Sequence, residues 1–296
     1  MLKLHWSDGN GKCAYPYWGL PAIKCCPGAR YAGCDCAKEG ICYAFLDELR
    51  APDSKRNHEE NLSLWLNDPL EFERQLDELY YEIEKKAKQK GETPFARPSE
   101  SGDMPDKEYA KMLIRVMERH PNVFTFFFTK NYVLPDWDFI NELPFWKLPN
   151  CNLMMSEWGN VKPSAELRKY YKVAKAIEIY DVETTEAEGY LHCNGKCREC
   201  DALCKDKNGD NCYFILHGAK AKFPIPDYMK EAVKVAEDTP GFHKFGGKTI
   251  NGLNLNYCKV NGISTYDGRV KMLREVWEML KRGDIKVFKN GYLVTV

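Results

Sequence analysis

Thirteen cysteines lie in this 296-residue chain, and their placement constrains the fold more than any other feature. Six fall between Cys13 and Cys42 and five between Cys193 and Cys212, which leaves only Cys151 and Cys258 alone. Thiols that merely fill a core follow the apolar pattern; these bunch among Gly and Lys in loop-like sequence. An oxidised framework of staples belongs to small exported domains. Met1 to Trp6 lacks the apolar run of a signal peptide, and no stretch reaches the roughly 18 apolar residues of a membrane-spanning helix. The expectation is a reduced, cytoplasmic protein, away from membranes, whose two thiol groups bind metal.

Lys+Arg and Asp+Glu both number 43, so no global positive field recruits nucleic acid or an anionic membrane. The length suffices for one large domain, or one domain with an insertion.

Helix and strand signals alternate after residue 56. Leu62, Trp65 and Leu66 form a short apolar face. Asp68 and Pro69 then mark a helix start, continued by Phe72, Leu76, Leu79, Tyr80 and Ile83 and stopped by Gly91. A short strand is expected at Pro94 to Arg97 and a helix over 106–119. Val123 to Thr129 reads as a central parallel strand, apolar on both faces. A helix between prolines near 136–143, a strand from Asn152 to Ser156, a helix over 164–171 and a strand from Val173 to Tyr180 follow. Beyond the second cysteine window, Cys212 to His217 reads as a strand, 226–237 and 266–282 as helices, and Ile285 to Val296 as a hairpin turning at Asn290-Gly291. This alternation implies an α/β fold with a parallel sheet, open or closed as a barrel, whose chemistry sits at the C-terminal strand ends. Ser101 to Asp103, Lys130, Ser156, Glu157 and His217 all fall at such ends.

In the first window, Cys26-Pro27-Gly28 sets one thiol on a tight turn. Cys34 or Cys36 can supply a second ligand and Cys42 a third. Thiolates select zinc, copper(I) or iron–sulfur clusters over hard cations. The wide, uneven spacing suits three thiolates around a cubane better than the two close pairs of a zinc tetrahedron. In the second window Cys193, Cys197 and Cys200 show C-x3-C-x2-C spacing, and Cys204 adds another short step. That run fits a second iron–sulfur cluster, with a structural zinc knuckle as the alternative.

The string CPGA…C…CYA resembles the gene-product-eighty-eight family of phage and bacterial proteins, and is similar to a related phage-type family of radical S-adenosylmethionine-like proteins. Ser101-Gly102-Asp103, His120-Pro121 leading to Thr129-Lys130, and Asn152 to Ser156 continue the likeness in order, over roughly residues 20–215. The resemblance implies a partial (β/α) barrel of radical-SAM type. Residues 1–56 would form the cluster loop region, 57–220 the barrel with a cysteine-rich insertion at 190–212, and 221–296 a C-terminal extension. It further implies a 4Fe–4S cluster on the first window and bound S-adenosylmethionine. The products would be a 5′-deoxyadenosyl radical and then a hydrogen abstracted from a small-molecule, nucleotide or peptide substrate. The electron would come from a donor such as flavodoxin or ferredoxin. The usual C-x3-C-x2-C spacing is absent from the first window, although the second has it. The resemblance implies a cluster loop after the first barrel strand and an aromatic after the last cysteine. Because the second window lies late in the chain, with Asp201 after Cys200, the first keeps the catalytic assignment and the second cluster is auxiliary.

By the same resemblance Glu100, Ser101, Gly102 and Asp103 form the loop that holds the methionyl ammonium. Lys130, after an apolar strand, is a candidate contact for a carboxylate or phosphate, and Ser156 and Glu157 are candidate ribose contacts. The structural alternatives are Asp103 as cap of helix 106–119, Lys130 as a solvated strand-end lysine and His217 as a hydrogen-bonded strand-end histidine. Trp6, Trp18 and Tyr43 either shield a cluster or simply pack. Two other functions compete. One is a zinc-containing base-exchange transglycosylase with Asp103 as nucleophile and Cys197, Cys200, Cys204 and His217 around zinc. The other is a non-enzymatic, metal-stapled binding protein.

Overall fold

The structure, a computed structural model, describes residues 2–10, 13–38, 42–177, 181–193, 195, 197, 200 and 204–215. It also describes residue 282 and the backbone of 243–249, 285–287 and 292–295. Contacts divide the chain into two compact units, one of residues 1–176 and 188–214, the other of 177–187 and 215–296.

The first unit opens with short helices α1 (Pro27–Tyr31) and α2 (Tyr43–Arg50), then the longer α3 (Pro52–Asn67) and α4 (Pro69–Lys90). Asp68 caps α4 by accepting from Glu71 N at 3.1 Å, Pro69 occupies the first position, and Gly91 closes it at φ +66°. Strand β1 (Phe95–Ala96), helix α5 (Lys107–Arg119), and strands β2 (Phe124–Thr129), β3 (Cys151–Trp158) and β4 (Val173–Ile177) follow. Helix α6 (Val182–Ala187) belongs to the second unit; β5 (Leu191–His192) and β6 (Cys212–Ile215) come next in the chain.

These six strands form one sheet in the order β1-β2-β3-β4-β6-β5. The β1–β2, β2–β3, β3–β4 and β5–β6 pairs run parallel, which gives an α/β fold built on a parallel half-barrel. Its outer face carries the core: Trp65 of α3, Phe72, Leu76 and Tyr80 of α4, and Tyr109 and Leu113 of α5 pack against Phe127, Leu153 and Met155. Two buried hydroxyls are satisfied within that layer, Tyr80 with Thr125 at 2.9 Å and Tyr109 from Trp18 Nε1 at 3.1 Å. Trp18 therefore packs in this core. Phe126, Phe128, Asn152, Met154 and Ser156 alternate onto the opposite, inner face, as the registers Phe126↔Asn152 and Phe128↔Met154 require.

Four local expectations change. Asp106, not Asp103, caps α5, accepting from Tyr109 N at 2.8 Å. No helix forms near 136–143. Asp138 instead draws Ile140 N and Asn141 N, each at 2.9 Å, into turns. The 164–171 stretch yields a single helical turn, Leu167–Lys169, before the chain enters β4. Leu66 stands 64% exposed in the last turn of α3 while Leu62 and Trp65 are buried.

In the second unit, β7 (His243–Thr249), β8 (Ile285–Val287) and β9 (Tyr292–Thr295) form an antiparallel sheet in the order β7-β9-β8. Lys286↔Val294 and Val287↔Leu293 pair as the terminal hairpin requires. Its Asn290-Gly291 turn, the helices expected at 226–237 and 266–282, residues 178–180 and His217 lie outside the described residues.

Candidate metal centre

The first thiol group is assembled at the C-terminal edge of the sheet. Cys26 immediately precedes α1, Cys34 and Cys36 flank the start of a short turn (Asp35–Ala37), and Cys42 immediately precedes α2. Helix α1 is pressed onto the end of β2. Gly28 N donates to Asn131 Oδ1 at 3.0 Å, and a Cβ on Gly28 would lie 2.3 Å from the Lys130 carbonyl oxygen. Only glycine permits that approach. Ile23, β-branched yet held at φ +63°, turns the chain just ahead of Cys25-Cys26.

All four thiols are free. Cys36 Sγ lies 3.0 Å from Cys34 Sγ, and Cys34 Sγ is 4.0 Å from the Trp158 carbonyl at the end of β3. Contact with Cys36 draws the Cys34 thiol down to about 6, against burial and with help from the Lys130 charge; the same contact pushes Cys36 up. Burial raises Cys26 and Cys42, Cys42 adds to the rise at Cys26, and Lys130 partly offsets the rise at Cys42. One ammonium thus faces three of the four sulfurs. Its Nζ donates to Ser156 Oγ at 2.6 Å.

The loop after β1 is rigidly held. Asp103 accepts from Thr129 Oγ1 at 2.9 Å, Lys130 N at 2.9 Å and Met104 N at 2.8 Å, while its own N donates to the Cys25 carbonyl at 2.7 Å. Burial nevertheless lifts its carboxyl to about 6. Ser101 Oγ donates to Glu48 Oε1 at 2.9 Å, and the same oxygen receives Ala22 N at 2.9 Å and faces His58 Nδ1 at 2.7 Å. Gly102 turns at φ +73° against the Leu20 carbonyl. Glu100 offers its carbonyl to the Tyr43 hydroxyl at 3.0 Å, so Tyr43 packs over the loop while its ring stays 58% exposed. Glu157 is buried against Arg168, which also donates to Tyr190 Oη at 2.8 Å.

The second thiol group lies toward the other end of the inner face. Asn152, at the start of β3, donates to the Cys204 carbonyl at 2.9 Å. Asn152 and Trp158 are six residues apart, about 20 Å along a strand. Cys13 and Cys197 are in thiol contact, as are Cys204 and Cys212; Cys193 and Cys200 lie within electrostatic reach of Cys212. Contact with Cys197 lowers Cys13 to about 6, with Arg97 assisting against burial, whereas burial raises Cys193 to about 11. Arg97 follows β1, sits 5.7 Å above the Phe128 ring and bears on Cys13, Cys193, Cys197 and Cys204.

Among the described residues no three His, Cys, Asp or Glu side chains converge closely enough to hold one metal ion. Three thiol pairs are in contact, Cys34 with Cys36, Cys13 with Cys197 and Cys204 with Cys212, and each group has one cation acting on it. The donor chemistry, soft sulfur beside Lys130 or Arg97, fits a thiolate-held, multi-atom centre. Spacing had offered Cys193, Cys197, Cys200 and Cys204 for the second group. The structure adds Cys13 and Cys212, and it adds Glu48, His58 and Asn131 as the supports of the first. Cys13 was visible as the earliest thiol of its window, but nothing in its spacing pairs it with a residue 184 positions away.

No described helix is long and apolar enough to cross a membrane. No curated protein and no solved structure matches this chain. The family model described as Gene product 88 matches residues 3–223, which takes in both thiol groups and every strand of the half-barrel. The chain belongs to the Gene product 88 family.

Proposed function

We propose that the protein is an iron–sulfur enzyme of radical S-adenosylmethionine type. In this reading Cys26, Cys42 and one of Cys34 and Cys36 hold a 4Fe–4S cluster, and the second thiol group holds an auxiliary centre. The observation that carries it is the placing of the four first-window thiols toward the C-terminal strand edge, with Cys34 against Cys36 at 3.0 Å and Cys26 within electrostatic reach of Cys36 and Cys42, near Lys130 and the 99–103 loop. In parallel α/β folds that edge is where ligands bind. When bound, such a cluster supplies the electron that splits the sulfonium of S-adenosylmethionine to a 5′-deoxyadenosyl radical.

The chain's own residues have separable tasks. Lys130 favours thiolate over thiol at Cys34, as metal binding demands, since ligation releases the thiol proton. Glu48 and His58 hold Ser101, and Asp103 pins the loop to β2, so Ser101 and Asp103 position the site rather than react. The polar groups left for a ligand are half-buried Glu100 and Lys130 and buried Ser156, the last two already joined to each other. Glu157 keeps Arg168 in place. The zinc base-exchange reading asks Asp103 to attack a nucleoside, for which its contacts to Thr129, Lys130 and Met104 would have to break. A structural zinc at the second group remains the alternative there, favoured by the anchoring of that loop through backbone carbonyls of Cys197 and Cys204.

Anaerobic purification, with iron, sulfide and zinc counted per chain, tests the reading directly. Iron and sulfide with a low-temperature paramagnetic signal on reduction, and 5′-deoxyadenosine formed from S-adenosylmethionine, are expected. Zinc alone, or a cluster that never cleaves S-adenosylmethionine, overturns it.

A further inference from the structure

We propose that Cys13 is a ligand of the second metal centre and Arg97 its counter-charge, so that the centre staples the N-terminal segment to the cysteine loop. The inference rests on the second thiol group binding metal and names the residues that complete it.

Cys13 is placed by a built scaffold. Ser7 and Tyr17 pair as an antiparallel bridge, with N–H donations of 2.9 and 3.0 Å, which closes residues 7–17 into a loop carrying Cys13. Arg97 N donates to the Pro16 carbonyl at 2.9 Å, so that loop lies beside the end of β1. Asn10 Oδ1 receives Cys13 N at 2.8 Å, and the thiol faces the Tyr15 carbonyl at 3.7 Å. Tyr15 in turn donates its hydroxyl to the Cys197 carbonyl at 3.3 Å and packs its ring 4.7 Å from Phe95. The Cys13 backbone and the Tyr15 hydroxyl thus hold Cys13 and Cys197 next to each other.

Arg97 supplies the second line of argument. Its Nε is buried without a hydrogen-bond partner, and among the described residues no carboxylate forms an ion pair with the guanidinium. A guanidinium left this way is costly unless an anion faces it. The groups that act on it are Cys13, which also hydrogen-bonds it, Cys193, Cys197 and Cys204, together with Tyr43 and Glu100. Glu100 acts on the guanidinium only at a distance, and thiolates on a metal supply negative charge beside the unpartnered Nε. Each joining thiol exchanges its S–H bond for a sulfur–metal bond and releases one proton to solvent, with no electron transferred. The cross-link also has structural value. The 193–204 loop has no described helix or strand, and a closure spanning residues 13 to 197 constrains the unfolded chain more than a local knuckle does.

The experiment uses the full chain with Cys26→Ala and Cys42→Ala, which silence the first group, loaded anaerobically with ferrous iron and sulfide or with zinc alone. Adding Cys13→Ala is expected to cut retained metal about tenfold or more under limiting supply, and Arg97→Gln to speed loss to a chelator about tenfold, while Arg97→Lys restores retention. Absence of metal from the silenced parent overturns the second-site reading and the inference with it. Metal retained unchanged after Cys13→Ala overturns the inference alone. As a check that needs no variant, wild-type protein is pulse-alkylated with and without chelator. Cys13 is expected to label only after metal removal, whereas buried Cys151, which contacts no other thiol, does not respond to metal. Labelling of Cys13 independent of metal, or a Cys13–Cys197 disulfide in anaerobic protein, overturns the proposal.

Discussion

The backbone N–H of Gly28 donates to Asn131 Oδ1 at 3.0 Å, joining the first thiol loop to the end of β2 with no room for a side chain between them. Asn131 Nδ2 continues the joint to the Met104 carbonyl at 2.7 Å. Three segments far apart in sequence therefore meet at one amide. Gly28→Ala is expected to destabilise the fold by about 1–3 kcal/mol, because the new methyl group must displace the Lys130 carbonyl. A urea midpoint lowered with unchanged slope shows it; an unchanged midpoint would mean that α1 is free to move off β2.

Glu48 gathers Ala22 N, His58 and Ser101 on one buried oxygen. Burial opposes its ionisation, but hydrogen bonds from His58, Ala22 N and Ser101 outweigh burial and hold its carboxyl below the usual range. Its stabilisation is therefore complete above the ordinary glutamate value and is lost as pH falls through the lowered folded value. Glu48→Gln is expected to cost about 1–3 kcal/mol at neutral pH, with the deficit shrinking below about pH 4. Thermal unfolding of both proteins across that range measures the convergence.

Asp103 titrates in the opposite sense. Burial raises its folded value to about 6, so its contribution is greatest below the unfolded aspartate value and is lost as pH rises through 6. A shift of this size corresponds to about 3 kcal/mol. Relative to Asp103→Asn, the wild type is expected to lose stability between about pH 4 and pH 7, the window set by these two values. Parallel stability curves for the two proteins would show that Asp103 is already solvated.

Cys34 should be the reactive thiol of the metal-free first group. Its contact with Cys36 contributes most to its lowered value of about 6, and Lys130 adds to it. Cys36→Ala is expected to move the alkylation midpoint of Cys34 up toward the ordinary thiol value, about 8.5, and Lys130→Met to move it less. Peptide mapping of iodoacetamide labelling against pH orders the two effects. A larger shift from Lys130→Met would reverse their assignment.

The long elements were legible because their signals are local. Apolar spacing from Phe72 to Ile83, the Asp68 cap and the Gly91 stop define α4, and the run from Val123 to Thr129 defines the strand beside β3. Where the sequence misled, a short-range competitor won: Asp138 folded 136–143 into turns, and Asp106 took the cap expected of Asp103. The Gly28–Asn131 joint and the Glu48–Ser101 bond had no signature, since each joins residues whose types are common and whose separation is long.

By itself, the sequence determined a parallel α/β sheet, two thiol-rich windows and membership of a family that its ordered motifs already resembled. Only the tertiary structure decided which thiols meet: Cys34 with Cys36, Cys13 with Cys197, Cys204 with Cys212, and Arg97 among the second group. Periodicity and capping act over a few residues and can be read along the chain. The approach of Cys13 to Cys197 is set by how a Ser7–Tyr17 loop rests on β1, and that depends on the packing of the whole sheet.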